Sequence, residues 1–567
     1  MASDTPIIAV TLGSWWVRRY RGEWLGDDIV AGLTSAAVVI PKAMAYATVA
    51  GLPLQVGLYT AFVPMVIYAL LGSSRPLSVS STTTLAILSA AVLGAVAPEG
   101  GTVSLITAGA TLALLVGAML ALAAVLRLGF VANFISEPVL IGFKAGIGLV
   151  IVVDQFPKLL GIHIHKEGFL RDLVSIAEHL PQTSLATLAL AVVLFVTIFA
   201  MERLVPKAPV PLLAIAGSIM AVSLLGLSSA GVETVGKVPS GLPQWTWPDL
   251  ALVQALWPAA AGIALMSFTE SVAAARAFKS LSEPPLAPNR ELLALGLANM
   301  GGSVLGAMPA GGGTSQTNVN RRAGARTQLA ALVTAAVAVA TMVLLAPLIA
   351  LMPQAALAAV VIAYSIELIQ PAEFRAIRQV RRVEFRWAVI AFVGVILLGT
   401  LDGILIAVMT SLLSLVYQAY SPPVYALGRK RQANVYRRLS PEHPDDQTWQ
   451  GLLLVRVEGR LFFANAQLVG EKIQQLVEQI RPRVVVLDCR AVLDIEYTAL
   501  KMLIEGEQRL RENGIELWLS AMNPDMKAVV ERSSLWETLG RKRMFLSLDV
   551  AVQTYESGIA SASTQSE

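Results

Sequence analysis

One cysteine and four histidines in 567 residues leave little for redox or metal chemistry. The lone Cys489 excludes an intramolecular disulfide framework. The histidines fall in connections or in a basic linker, so no metal-ligand cluster forms and neither a metal nor a cofactor is expected. Charge is scarce too: Asp, Glu, Lys and Arg make up 14% of the chain, against about 25% in an average soluble domain. No Walker loop or catalytic triad is present, which argues against an ATP-driven pump and against an enzyme. The first residues, "MASDTPIIAVTLGSWWVRRYRGEW", have no uninterrupted apolar core followed by a small-residue cleavage site, so they read as a cytoplasmic lead-in and not as a secretory signal. A net charge of +4 is too small to suggest a nucleic-acid partner.

What the chain does have is oil: 55% hydrophobic residues and a mean hydropathy of +0.65. Crossing a bilayer takes roughly 20 apolar residues as helix. Candidate runs recur near Ile29–Val49, Val56–Leu71, Thr82–Ala97, Val103–Val125, Val139–Val153, Leu185–Ala200 and Val210–Leu225. After a polar break they resume near Val253–Ala274, Leu292–Ala307, Thr314–Val319, Leu329–Leu351, Ala355–Ile369, Trp387–Leu398 and Ile404–Val416. The expectation is an α-helical membrane protein of about fourteen segments, seven and seven. Connections after even-numbered runs are basic, such as "NRRAGAR", and most of those after odd runs lack Lys and Arg. By the positive-inside rule both termini lie in the cytoplasm, and the lipid bilayer of the inner or plasma membrane is the chain's solvent.

The third and tenth runs are interrupted alike. "RPLSVSSTTTLAILSAAVLG" and "PAGGGTSQTNVN" each open with proline and then small and hydroxyl residues, at the same place in their sets of seven. Such paired interruptions point to an inverted-repeat transporter with its site near the bilayer midplane. A helix beginning at Thr314, Ser315 and Gln316, and another at Ser80, Ser81 and Thr82, would aim free N–H groups and partial positive charge at a shared point, a cradle for a small anion. Ser and Thr also cap helices and pack at membrane helix contacts, and it is the pairing of the two stretches that favours the functional reading.

Glu270, in "ALMSFTESVAAARAF", lies well inside the eighth run, where a carboxylate is usually functional. Apolar neighbours favour proton uptake, which makes it the proton-coupling candidate; the bland alternative is a fixed ion pair with Arg276 or Lys42. Lys42 follows Pro41, which could open the first helix, and could face an anion or neutralise Glu270. Charges nearer the run ends (Glu137, Lys144, Arg276, Arg290, Glu291, Glu367 and Asp402) are read as snorkelling.

From Tyr420 the composition turns soluble. The boundaries expected are a cytoplasmic segment at 1–26, a transmembrane anion transport domain at 27–420, a basic linker at 421–448, an α/β domain at 449–557 with alternating strand and helix patterns, and a disordered tail at 558–567.

The pieces "DIVAGLTSAAVVIPKAMAYATVAGLP", "GLYTAFVP", "FISEPVLIGFKAGI", "NRELLALGLANMGGSVLGAMPAGGGTSQTNVNRRAGARTQ", "LFFANA" and "VVVLDCRAVLDIEYTAL" together resemble the sulfate permease family, whose C-terminal module is a STAS domain. The resemblance implies core and gate domains like those of uracil permeases, elevator-type alternating access and a homodimer. Carried over by position, the anion site would draw on Lys42, Tyr46, Ser81, Thr82, Thr314, Ser315 and Gln316, with Glu270 beside it. Three positions depart from the family pattern. Lys42 stands where many members have glutamine, Gln316 where they have arginine, and Ser81 where they have proline. The first two suggest that the site's fixed positive charge has moved from the tenth helix to the first. In the STAS part "EYTA" puts Tyr497 where bacterial relatives carry a regulatory serine, so a serine phosphoswitch is not expected. The function implied is proton-coupled import of a small oxyanion, sulfate first. A sodium-coupled bicarbonate or dicarboxylate transporter, or a membrane-tethered anion sensor, is the alternative.

Overall fold

The computed structural model describes residues 16, 17, 20–96, 102–133, 136–164, 168–205, 210–236, 238–280, 283, 285–431 and 433–564. Most of the lead-in expected at 1–26 thus lies outside the described residues. The chain divides after Leu412 into two compact units.

The first unit is helical. Its first half contains α1 (Leu25–Val49), α2 (Leu54–Leu71), the short strand β1 (Val79–Ser80), α3 (Thr83–Val96), α4 (Thr102–Val125), α5 (Glu137–Leu160), α6 (Phe169–His179), α7 (Leu185–Leu204) and α8 (Val210–Leu225). Its second half contains α9 (Val253–Ala277), α10 (Pro288–Ser303), strand β2 (Gly311–Gly312), α11 (Thr314–Arg322), α12 (Leu329–Leu344), the single turn α13 (Ala346–Ile349), α14 (Gln354–Ile366), α15 (Pro371–Val380) and α16 (Arg382–Tyr420). The last is two helices meeting at a kink at Gly399, whose φ of 87° suits glycine, and from Leu413 onward it belongs to the second unit. Six described helices are long and apolar enough to cross a membrane, or up to seven if the α6–α7 pair, bent by 117°, is one span. Apolar helices at 83–94, 210–225, 329–344 and 405–420 are shorter. The strongly amphipathic α6 and the basic α15 fall where connections were expected.

Glycine sets how closely the helices approach. A Cβ on Gly57 of α2 would sit 2.0 Å from the Ala43 carbonyl oxygen of α1, and one on Gly117 of α4 would sit 2.7 Å from the Gly296 carbonyl oxygen of α10. These contacts belong to one packed group: α1–α4 with α9–α12. A second group gathers α5, α7, α8 and α14. Here Gly142 and Gly148 of α5 press on the backbone of Ala388 in α16 and of Ser365 in α14, at 2.0 and 2.7 Å from an added Cβ. Without water in the bilayer, backbone-on-backbone packing of this kind supplies much of the adhesion between helices.

The irregular backbone before α3 and α11 is held by strand pairing and by side-chain hydrogen bonds. β1 and β2 pair antiparallel, Val79 with Gly312 and Ser80 with Gly311, so the two halves of the chain meet strand to strand. Ala310 donates its N–H to Asn299 Oδ1 at 2.8 Å, Gly312 donates to Ser271 Oγ at 2.7 Å, and the Ala310 carbonyl accepts from Ser267 Oγ at 2.7 Å. Non-helical backbone survives at membrane depth only when satisfied in this way. Gly312 leaves no room for a side chain, since a Cβ would lie 2.7 Å from Leu77 Cδ1.

The second unit is an α/β sheet. Its elements are β3 (Val424–Arg429), β4 (Tyr436–Arg438), β5 (Leu452–Val457), β6 (Gly459–Leu461), α17 (Ala466–Ile480), β7 (Val484–Asp488), β8 (Val492–Ile495), α18 (Tyr497–Glu512), β9 (Glu516–Ser520), α19 (Pro524–Glu531), α20 (Ser534–Leu539), β10 (Met544–Phe545) and α21 (Leu548–Thr564). Six strands run in the order β10-β9-β7-β5-β3-β4, with β5, β7, β9 and β10 parallel and β3 and β4 antiparallel at the edge. The linker expected at 421–448 therefore supplies two strands of the sheet: β3 is held to β5 by its own ladder and buries Ala426, Leu427 and Gly428. Residues 558–564, expected to open a disordered tail, continue α21.

Candidate functional site

Two clefts stand out among the described residues. One, of about 590 Å³ in the second unit, has apolar walls such as Val469, Ile473, Leu487 and Leu503, edged by polar residues of α17 and α18 such as Glu471 and Glu505. The other, of about 430 Å³ in the first unit, is polar and lies between the two helix groups. It is lined by Lys42 and Tyr46 of α1, Ser81 and Thr82 leading into α3, Glu270 of α9, and Thr314, Ser315 and Gln316 of α11. The structure thus brings all eight residues singled out in the sequence to one cavity.

Their local geometry follows from the strand pair. β2 delivers the chain to Gly313, the N-cap, and α11 begins at Thr314. β1 delivers it to Thr82, whose carbonyl accepts the first helical bond, from the Ala86 N–H at 2.9 Å. The second helix start therefore lies later than expected: Ser80 is strand, and the first-turn residues are Thr83 and Thr84, which also line the cavity. Helix starts expose N–H groups and partial positive charge. The Ser80 hydroxyl instead fixes Gln316, donating to its Oε1 at 2.8 Å. Gln316 Nε2 and Ser81 Oγ are buried on the cavity wall with no protein partner among the described residues. A buried donor without a partner is destabilising by about 1–3 kcal/mol, so two of them on one wall mark a place that expects an acceptor.

Three charges are held inside the cavity. Lys42 is 3% exposed, donates to Ser315 Oγ at 2.9 Å and lies 3.5 Å from the centroid of the Tyr364 ring. Pro41, just before it, does not open α1, which runs unbroken to Val49. Glu270 is 6% exposed and accepts from Thr84 Oγ1 at 2.8 Å and Thr82 Oγ1 at 3.3 Å. It forms an ion pair with Lys144 of α5, at 3.5 Å, a partner beyond the Arg276 and Lys42 that the alternative reading had named. The surroundings are thus polar, where the sequence of α9 alone suggested apolar ones. Glu137, Glu367 and Glu373 are exposed and ring the mouth.

Glu137, Lys144 and Glu367, read from the sequence as snorkelling end charges, all line the site. One signal was available for Lys144. As the eighth residue of α5 it lies about 10 Å along the helix, deep for a side chain that must reach the interface.

Strand-led helix starts from two halves of a chain, facing a shared polar cavity between packed helix groups, define a class: a helical membrane carrier fold joined to an α/β module. The family can then be stated. The sulfate permease family model matches residues 25–391 and the STAS domain model residues 443–551, so the chain belongs to the sulfate permease family and carries a STAS domain. It is 34% identical over 542 residues to a probable sulfate transporter of Mycobacterium tuberculosis (strain ATCC 25618 / H37Rv), covering 95% of this chain and 96% of the relative. It is 30% identical over 559 residues to sulfate transporter 4.1, chloroplastic, of Arabidopsis thaliana, covering 95% and 81%. In fold it is similar to the murine solute carrier 26 family member A9 anion transporter in the inward-facing state, with a TM-score of 0.88 at 21% identity over 98% of this chain and 96% of that one. The transmembrane domain of a cyanobacterial bicarbonate transporter, BicA, aligns with a TM-score of 0.59 at 24% identity, covering 68% of this chain and 98% of that domain.

Proposed function

We propose that the protein is a secondary active importer of a small oxyanion, sulfate first, driven by protons. The observation that carries this reading is the cavity itself: two helix starts, two unpartnered donors and the Lys42 ammonium converge beside one buried carboxylate. At about 30 Å³ per water, 430 Å³ holds a small oxyanion with part of its hydration shell. The names of the sulfate-transporting relatives support sulfate as the cargo. The cavity is bounded on one side by α1, α3, α9 and α11 and on the other by α5, α14 and α15, the arrangement that elevator-type displacement of one group past the other requires.

Coupling follows from charge. Moving one charge against 100 mV costs about 2.3 kcal/mol, so a cell with a negative interior accumulates a dianion only with compensating cations. Glu270, the buried carboxylate of the site, is the proton carrier in this reading. The chain is placed in the inner or plasma membrane with both termini cytoplasmic, working as a homodimer whose STAS domain tunes transport.

Purified full-length protein in liposomes, given labelled sulfate, bicarbonate or succinate and imposed pH or sodium gradients, tests the proposal. Sulfate uptake driven by an inward proton gradient is expected, and Glu270→Gln removes that accumulation while sparing sulfate exchange. Accumulation that persists in Glu270→Gln overturns the carrier assignment. Sodium-driven bicarbonate uptake would replace sulfate with the second reading, which the likeness to the bicarbonate transporter domain favours.

A further inference from the structure

Lys144 enters neither half of the helix-start cradle, yet it makes an ion pair within the cavity, at 3.5 Å from Glu270 Oε1. Its helix α5 is fastened to the second helix group, where Gly142 and Gly148 leave only backbone-to-backbone clearance against Ala388 and Ser365. Glu270 belongs to the first group, on α9, with its carboxylate held by two hydroxyls at the start of α3. The pair therefore joins the two groups across the space that the anion would occupy.

The charges facing this pair make its consequences specific. Lys42 comes from α1 and is already engaged by Ser315 and Tyr364. Glu137 lies on α5 itself, Glu367 follows α14 and Glu373 lies on α15, all three exposed at the mouth. Tyr46 of α1 and Tyr364 of α14 complete the titratable lining. With every group ionised, two ammoniums stand against four carboxylates, a poor welcome for a dianion. A proton on Glu270 removes the cavity's buried negative charge and at the same time leaves Lys144 without its counter-ion.

We propose that Lys144 is the residue through which proton and anion binding are linked. While Glu270 is ionised, Lys144 is bound to it and clamps the two helix groups together. When Glu270 takes a proton, the ammonium turns to the anion, which then holds the helix groups through Lys144 from one side and the helix starts from the other. Anion affinity and proton uptake rise together, as linkage requires. The inference rests on the proposed oxyanion transport. It assigns Lys144 a positioning role towards Glu270 and a binding role towards the anion, both beyond the cradle.

The test compares wild type, Lys144→Gln and Lys144→Arg as full-length protein in liposomes, measuring sulfate affinity from pH 5.5 to 8.5 and proton-driven uptake. In wild type the affinity rises as pH falls. In Lys144→Gln no ammonium is left at this position for the anion once Glu270 is neutral, so the affinity at low pH falls by about tenfold and the rise on acidification is correspondingly smaller. Lys144→Arg keeps a cation at the site and restores both. A purely structural role would lower affinity equally at every pH. A Gln variant whose affinity rises on acidification as steeply as in wild type, or an Arg variant no better than Gln, overturns the role of Lys144 while leaving the transport reading intact. Absence of any sulfate binding or flux in wild type overturns both.

Discussion

Replacing Lys42 by glutamine tests where the site keeps its fixed positive charge. The ammonium is 3% exposed, 2.9 Å from Ser315 Oγ and 3.5 Å from the Tyr364 ring centroid, so glutamine can keep the hydrogen bond to Ser315 but loses the charge and the cation–π contact. Two unit charges 4 Å apart attract by about 4 kcal/mol at an effective dielectric of 20. The ammonium and the anion both give up hydration to meet, so the net contribution falls to the range of a hydrogen bond to a charged group, about 1.5–3 kcal/mol. That corresponds to a dissociation constant about ten to more than a hundred times weaker. Equilibrium binding of labelled sulfate to the purified protein, at fixed pH and low salt, measures it. Adding Gln316→Arg returns a cation to α11 and should recover a substantial part of the loss. A Lys42→Gln protein whose sulfate affinity stays within about twofold of wild type would refute the reasoning, because a buried cation on the cavity wall would then be shown not to act on the anion.

Two further outcomes follow from packing. Gly57→Ala places a methyl group 2.0 Å from the Ala43 carbonyl oxygen, so α1 and α2 must separate; a loss of about 1–3 kcal/mol, seen as a lower melting temperature in detergent, is expected, and an unchanged melt would contradict the close approach. Cys489 is fully buried, and burial together with the neighbouring Asp488 pushes its thiol well above the usual range. The folded protein should therefore resist a maleimide at neutral pH that labels the denatured chain, and labelling at the rate of a free thiol would count against this packing.

The cavity's cradle was largely legible because proline, glycine and hydroxyl residues in an otherwise apolar chain have few other uses at membrane depth. "PAGGGTSQ" opens a helix at Thr314, as its composition implies. The matching start near Ser81 was misplaced by a few residues, because two residues there are strand, and only the partner strand from the other half of the chain makes them so. Lys144 was misread for a related reason. Whether a lysine inside a helix turns to lipid, to the interface or to a cavity depends on the rotation of that helix, and α5 is rotated by its glycine contacts with α14 and α16, hundreds of residues away. In the second unit the strand and helix patterns were visible, yet β3 and β4 read as a basic linker, because the edge strand β4 needs only part of its length buried and β3 is only half-buried at its ends although β5 and β4 flank it.

The amino-acid order alone determined that this chain lives in a membrane, that its spans fall into two sets interrupted at corresponding places, and that an α/β domain follows. These properties rest on local composition, which water and lipid sort without knowledge of the rest of the molecule. Tertiary structure alone decided which charges meet: that Glu270 faces Lys144, and that Gln316 and Ser81 keep free donors on one wall. Such partnerships depend on the packing of helices distant in sequence, where a rotation of a fraction of a turn would separate them.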